Sequence, residues 1–247
     1  MKKAYIYRGL FYIASLLILA LGITLNTKTG LGVSPIISVS FSISTIWHLN
    51  FGNTTLVLYA VFVAVEMILH TIRSLRAERS EGAPLEHANK LNLKLSLLMD
   101  LLQFPLSLVF TRFLNLFSGL IPNLQTTYPD SFAGSFAGRI VFLLIAIILT
   151  GVGAAISLNM RIIPNPGDGI VQAIADFIHK GVGFTKNCFD VFNICITISV
   201  GLLFAHHLIG IGLGTVIAVI GVGRVIAVFN HFFKQPMAIL ADVKEPV

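Results

Sequence analysis

The sequence predicts an all-α polytopic membrane helix bundle. Six transmembrane helices and two short broken, re-entrant helices are expected in a 3+3 internal, inverted repeat. Three observations predict it. The 247-residue chain is 55% hydrophobic and 11% charged, whereas soluble domains carry about 25% charged residues. Apolar runs long enough to cross about 30 Å of hydrocarbon recur six times. A fixed offset of 131 positions, set by Pro35 and Pro166, relates the starts, breaks and turns of the two halves.

The chain opens on Lys2, Lys3 and Arg8 followed by an apolar run to Leu25. That pattern is shared with secretory signal peptides. Here the run is long for such a segment and has an internal counterpart, so it reads as a first span over 9–26. Thr29–Pro35 then interrupts the apolar pattern. Ser34 suits an N-cap and Pro35 the first helical position, opening a segment over about 35–48 that is too short to span. A second span is expected at 54–72, a solvated basic loop at 73–94 and a third span at 95–117. The linker 118–138 holds no Lys or Arg and one acid, Asp130. A fourth span covers 139–159. Pro164–Gly169 repeats the break, with Asn165 and Pro166 as cap and first residue of a short segment to about 180. Spans at 187–205 and 212–233 and a tail over 234–247 complete one integral membrane domain, 1–247.

The offset pairs Arg8 with Arg139, Gly22 with Gly153, His48 with His179, Gly52 with Gly183 and Thr54 with Thr185. Identity is sparse, but the matches mark element boundaries without a gap over some sixty residues. They define repeats over roughly 8–117 and 139–233, with 73–94 as an insertion. Orientation follows from charge. If the short segments crossed the bilayer, the basic loop would face outward and the Lys/Arg-free linker inward, against the positive-inside rule. If they dip in and return, each half has three spans and the second half is inverted. The basic loop, both termini, Arg161, Lys180 and Lys186 then all lie inside, as in inverted-repeat transporters with interrupted helices near the midplane.

The GLGVSP break with its Ser-rich short helix, the stretch Pro166–Gly169, and Ile209–Val216 resemble the YczE/YyaS/YitT family of bacterial integral membrane proteins. The resemblance implies a multi-pass bacterial inner-membrane protein and supplies no substrate or site.

Candidate functional residues follow from burial in lipid. Free N–H groups at the two short-helix N-termini form anion-attracting ends. Ser34, Ser38, Ser42 and Thr45 share one face of the first short helix. Asn165 caps the second, along which Asp168, Gln172, Asp176 and His179 lie at helical spacing. These residues and Arg224 are the expected substrate site, hydroxyl-lined on one side and acidic on the other. Ionisable residues inside spans are functional candidates by default. Glu66, Asp100 and Asp190 are coupling or ion-pair candidates, with Glu66 and His70 near enough to an interface to reach it. Arg112 can snorkel. Arg224 is mid-span and needs an acid, for which Asp100, Asp190, Asp168 and Asp176 are available. Cap and core roles compete with these functional readings throughout. Cys188 and Cys195 read as reduced core cysteines. Gly210, Gly212, Gly214, Gly221 and Gly223 read as close-packing positions.

Nucleophile–base and metal-ligand spacings are lacking, and His206–His207 stands alone, so no enzyme, metal or cofactor is expected. The +6 charge reports loops facing the cytoplasm rather than nucleic acid. The expected partners are the bilayer and a small, anionic solute. The favoured function is a small-solute transporter or permease with a midplane site between two broken helices. The alternative is a non-transporting accessory protein for maturation, export or signalling.

Overall fold

The computed structural model describes residues 2–81 and 87–243. Among them it is all-helical: α1 (Lys2–Lys28), α2 (Pro35–Ile46), α3 (Phe51–Glu81), α4 (His87–Leu120), α5 (Leu124–Thr127), α6 (Phe136–Met160), α7 (Pro166–Ile178), α8 (Val182–Val200, continued by one π turn over Gly201–Ala205) and α9 (Leu213–Ala241). Six helices are long and apolar enough to cross a membrane; α2 and α7, of 12 and 13 residues, are too short, and α5 is a single turn. The expected bundle is present, and the protein is a multi-pass membrane protein.

The solvated loop expected at 73–94 is shorter than its composition suggested. α3 runs on to Glu81 and α4 starts at His87, leaving only 82–86 of it outside the described residues. Ser74–Glu81 is rich in Leu, Arg, Ala and Glu, strong helix formers that extend a helix already nucleated in the membrane. The linker carries one turn, α5, capped by the Asn123 side chain, which accepts from the Gln125 and Thr126 amides.

Both short helices begin and end by local chemistry. Pro35 and Pro166 sit in the first turns, and the Asn165 side chain accepts from the Gly167 amide at 3.0 Å. Ser34 makes no side-chain cap bond. His48 and His179 follow the helices in the left-handed region, both at φ 53°, a conformation in which His is enriched. Matching backbone bonds close the turns, Leu49 N–H to Ser44 O at 2.9 Å and Lys180 N–H to Ala175 O at 3.0 Å.

Between helices in lipid, close van der Waals packing replaces the hydrophobic effect as the drive to associate. The central pair is α1 on α6. A Cβ on Gly22 would lie 2.6 Å from the Thr150 amide nitrogen, and one on Gly153 would lie 2.6 Å from that of Leu19. Gly22/Gly153 and Leu19/Thr150 are both related by the 131 offset, so one contact is the image of the other. The helix ends repeat the pattern. Arg8 donates to Met160 O at 2.8 Å and Arg161 O at 2.7 Å. Arg139 donates to Thr29 O at 3.3 Å and to Gln125 Oε1 at 2.9 Å. Each arginine caps the C-terminal end of the opposite helix, where cations are favoured.

Around this pair, α3 packs on α7 and α8 packs on α2. The third long helices differ. α4 lies against α3 and α1, whereas α9 lies against α6 and α1 and makes little contact with α8. The two glycine-rich stretches meet: Val33 N–H donates to Gly210 O at 2.8 Å and Gly214 N–H to Leu31 O at 2.7 Å. Gly32, at φ +111°, could not carry a side chain, since its Cβ would lie 2.6 Å from Thr215 Oγ1. Cys188 and Cys195 are free and exposed rather than in the core, because α9 does not cover α8.

Candidate functional site

The N-terminal ends of α2 and α7 meet at the centre of the bundle. A Cβ on Gly167 would lie 3.1 Å from Ile36 Cγ2, and these residues are themselves partners under the offset. Beside them is a cavity of about 90 Å³. Five pairs related by 131 form its walls: Leu19 with Thr150, Ile23 with Ala154, Ser34 with Asn165, Ile36 with Gly167, and Ile37 with Asp168. Tyr59 of α3, Lys186 of α8, and Val222 and Ile226 of α9 complete it.

The walls are matched in shape and unlike in chemistry. Of the paired residues, those of the α1–α2 stretch supply aliphatic side chains and the Ser34 hydroxyl, and those of the α6–α7 stretch supply Thr150, the Asn165 amide and the Asp168 carboxyl. Thr150 Oγ1 is buried without a hydrogen-bond partner, so a polar atom is left available in the wall. Tyr59 and Asn165 line the cavity together. Lys186 Nζ lies 3.4 Å from Asp190 Oδ2, one helical turn away. Asp168 and Lys186 bring a carboxyl and an amine to a chamber into which the partial positive charges of two helix starts are directed. Such a chamber can hold a small polar or anionic group.

Of the expected site residues, Ser34, Asn165 and Asp168 line this cavity. Ser38 and Ser42 are fully buried to one side. Ser38 Oγ lies 2.6 Å from Thr197 Oγ1 and also donates to Pro35 O, and Ser42 Oγ has no partner. Gln172 is exposed and donates to Asp176, which is held by Arg73 at 3.0 Å. Asp176 thus belongs to an ion pair away from the cavity.

Arg224 requires correction. It is exposed on α9 and does not line the cavity. Neither deep acid reaches it, because Asp100 pairs with His70 at 2.8 Å and Asp190 with Lys186. The reason is the seat of α9: packing on α6 and α1 buries Gly214 and Ala218 and turns the Arg224 side outward. Arg112 donates to Asn53 at 3.1 Å.

Glu66 also departs from expectation. Rather than reaching an interface, it is 2% exposed and its carboxylate rests on the Cα of Gly169 in the first turn of α7. Gln103 Nε2 of α4 donates to Glu66 Oε2 at 3.0 Å. Tyr59, Thr150, Lys186 and Gln103 were not singled out from sequence. Lys186 left a readable signal, a Lys–Asp pair at i, i+4 inside an apolar run. Gln103 left none, since its role depends on which helix α4 faces. Among the described residues no group of three His, Cys, Asp or Glu could hold a metal ion.

The chain belongs to a family of unknown function, DUF6198, whose model matches residues 6–78 and 90–231. No curated protein and no solved structure matches it.

Proposed function

We propose that the chain, as a member of that family, is a carrier for a small solute that binds between the starts of α2 and α7. The observation carrying this reading is the meeting of two helix N-termini at a central cavity that also receives Asp168 and Lys186. Irregular backbone at membrane depth persists where it lines a cavity or is buried in protein, and interrupted helices around a midplane site are a recurring plan for transporters. The paired contacts of Gly22 and Gly153, and of Arg8 and Arg139, support reading the halves as inverted copies whose short helices re-enter rather than span. The basic end, with Arg73, Arg161 and Lys180, is then cytoplasmic together with both termini. The resemblance to the YczE/YyaS/YitT proteins agrees with a bacterial inner membrane. No catalytic step is part of this reading.

Two helix starts and Lys186 favour an anionic group on the solute, with Asp168 selecting for a second, positively charged or hydrogen-bonding group. Arg224 has no part in recognition. The test is uptake by proteoliposomes of a panel of radiolabelled small carboxylates and amino acids. Wild-type protein is expected to accumulate at least one of them, and Asp168→Asn and Lys186→Gln to lower uptake at least tenfold while eluting as folded protein. A wild type that moves none of the panel, or an Asp168→Asn variant that keeps full uptake, overturns the proposal.

A further inference from the structure

A second polar group lies outside the cavity, in the seam between α3 and α4. Glu66, His70 and Arg73 fall at i, i+4 and i+7 on α3 and face one direction. Gln103, Asp100 and Ser96 of α4 oppose them. Gln103 donates to Glu66, the His70 Nδ1 lies 2.8 Å from Asp100 Oδ2, and Ser96 Oγ lies 3.2 Å from the same nitrogen. The last rung crosses to α7, where Arg73 holds Asp176. Glu66 is close enough to Asp100 and His70 to interact with both electrostatically. The other packed elements bring no further rung: α2 carries no titratable residue, and Asp168 of α7 points to the cavity.

From this geometry we infer that Glu66 is a proton-binding site, loaded and unloaded from the Arg73 end through His70 and Asp100. Gln103 suits both protonation states. Its Nε2 donates to the carboxylate, while its Oε1 is buried without a partner, and the side chain is 1% exposed. Turned over, the amide offers Oε1 to a protonated Glu66 O–H. On release, the Glu66 O–H bond breaks and the proton passes to the His70–Asp100 pair and then to water beyond Arg73. Nothing is oxidised or reduced. Because Glu66 rests on Gly169, two residues after the Gly167 that touches Ile36, its protonation state bears on how α7 sits beside the cavity. Coupling to solute movement rests on the carrier reading; the proton site does not.

The test is an infrared titration of the protein in lipid bilayers, following the protonated-carboxyl C=O band and its shift in D₂O, with exchange timed after a pH jump. A one-proton band is expected in wild type and in Asp168→Asn, and its loss in the near-isosteric Glu66→Gln. His70→Ala is expected to slow exchange at least tenfold. An unchanged Glu66→Gln spectrum, or equal exchange rates in His70→Ala and wild type, overturns the inference. Uptake is scored in the same vesicles. A Glu66 band in wild type without solute uptake overturns the carrier and keeps the proton site. Uptake in Glu66→Gln equal to wild type and indifferent to a pH gradient overturns the coupling and keeps the carrier.

Discussion

The seam where α3 meets α7 and the seam where α8 meets α2 occupy equivalent positions in the two halves, and their chemistry is opposite. In the first, Glu66 rests on Gly169. In the second, Thr197, at the same position after the 131 offset, bonds to Ser38, which is the partner of Gly169. The difference traces to the third long helix of each half. α4 covers α3 and brings Gln103 and Asp100 to the buried side chains. α9 leaves α8 uncovered, so no neighbour could satisfy a carboxylate there. A buried acid needs a partner, which a second helix supplies to Glu66 through Gln103 and which α8 itself supplies to Asp190 through Lys186. The two seams share backbone geometry and differ in polar chemistry, and the acid lies in the seam that has a partner helix.

The strongest way to break the comparison is to destroy the scaffold both seams share. Gly22→Leu and Gly153→Leu should each destabilise the bundle by more than about 3 kcal/mol, since overpacking against backbone cannot relax by rotamer change. The two losses should be similar, because each side chain meets the backbone of the opposite helix at 2.6 Å. Gly223→Leu, with nothing within 4 Å, should be silent. Thermal aggregation followed by size-exclusion chromatography measures all three. Severe loss at Gly22 with tolerance at Gly153 would end the idea of mirrored contacts.

A smaller effect tests the seams directly. Thr197→Glu installs the carboxyl of the first seam in the second, without a Gln103 equivalent, and should cost about 2.5–3.5 kcal/mol. Thr197→Val removes the hydroxyl, and with it the interhelical bond to Ser38 and the local bond to Asn193 O, and should cost about 0.6 kcal/mol, the usual value between membrane helices. Reversible unfolding in mixed micelles separates them. If Thr197→Glu is tolerated as well as Thr197→Val, partner supply does not explain why the acid is confined to one side.

Much of this fold was legible in the sequence because bilayer thickness and turn chemistry are local constraints. Span lengths, Pro35 and Pro166 in first turns, and His48 and His179 closing the short helices all follow from neighbours in sequence. That Ser34, Asn165 and Asp168 would sit together was readable for the same reason, as they lie at those breaks, and all three line the cavity. What could not be read was the azimuth of each long helix. Arg224 looked obliged to find an acid, yet the small residues Gly214 and Ala218 determine which side of α9 packs, and Arg224 lies off that side. Glu66 looked peripheral by its position along α3, whereas its depth comes from packing against Gly169 and Gln103, 103 and 37 positions away.

The smallest effect sharpens the comparison at the ends of the bundle. Arg8 and Arg139 are equivalent by sequence, and each donates to carbonyls where the opposite central helix stops. Their surroundings are not equal. Arg8 makes two bonds at 2.7 and 2.8 Å. Arg139 donates to the exposed Gln125 side chain at 2.9 Å but reaches the helix-end carbonyl of Thr29 only at 3.3 Å, and its Nε is buried without a partner, an unsatisfied donor that offsets part of the gain. Arg8→Ala should therefore cost about 1.5 kcal/mol and Arg139→Ala about 0.5 kcal/mol, within the range for charged donors and helix C-termini. Twenty residues of α1 separate the two sites, about 30 Å along a helix, so the double variant should show the sum of the two to within about 0.5 kcal/mol. A coupling well above that would mean that the two ends communicate through the α1–α6 pair. The crossing at Gly22 and Gly153 would then act as a pivot rather than a fixed joint.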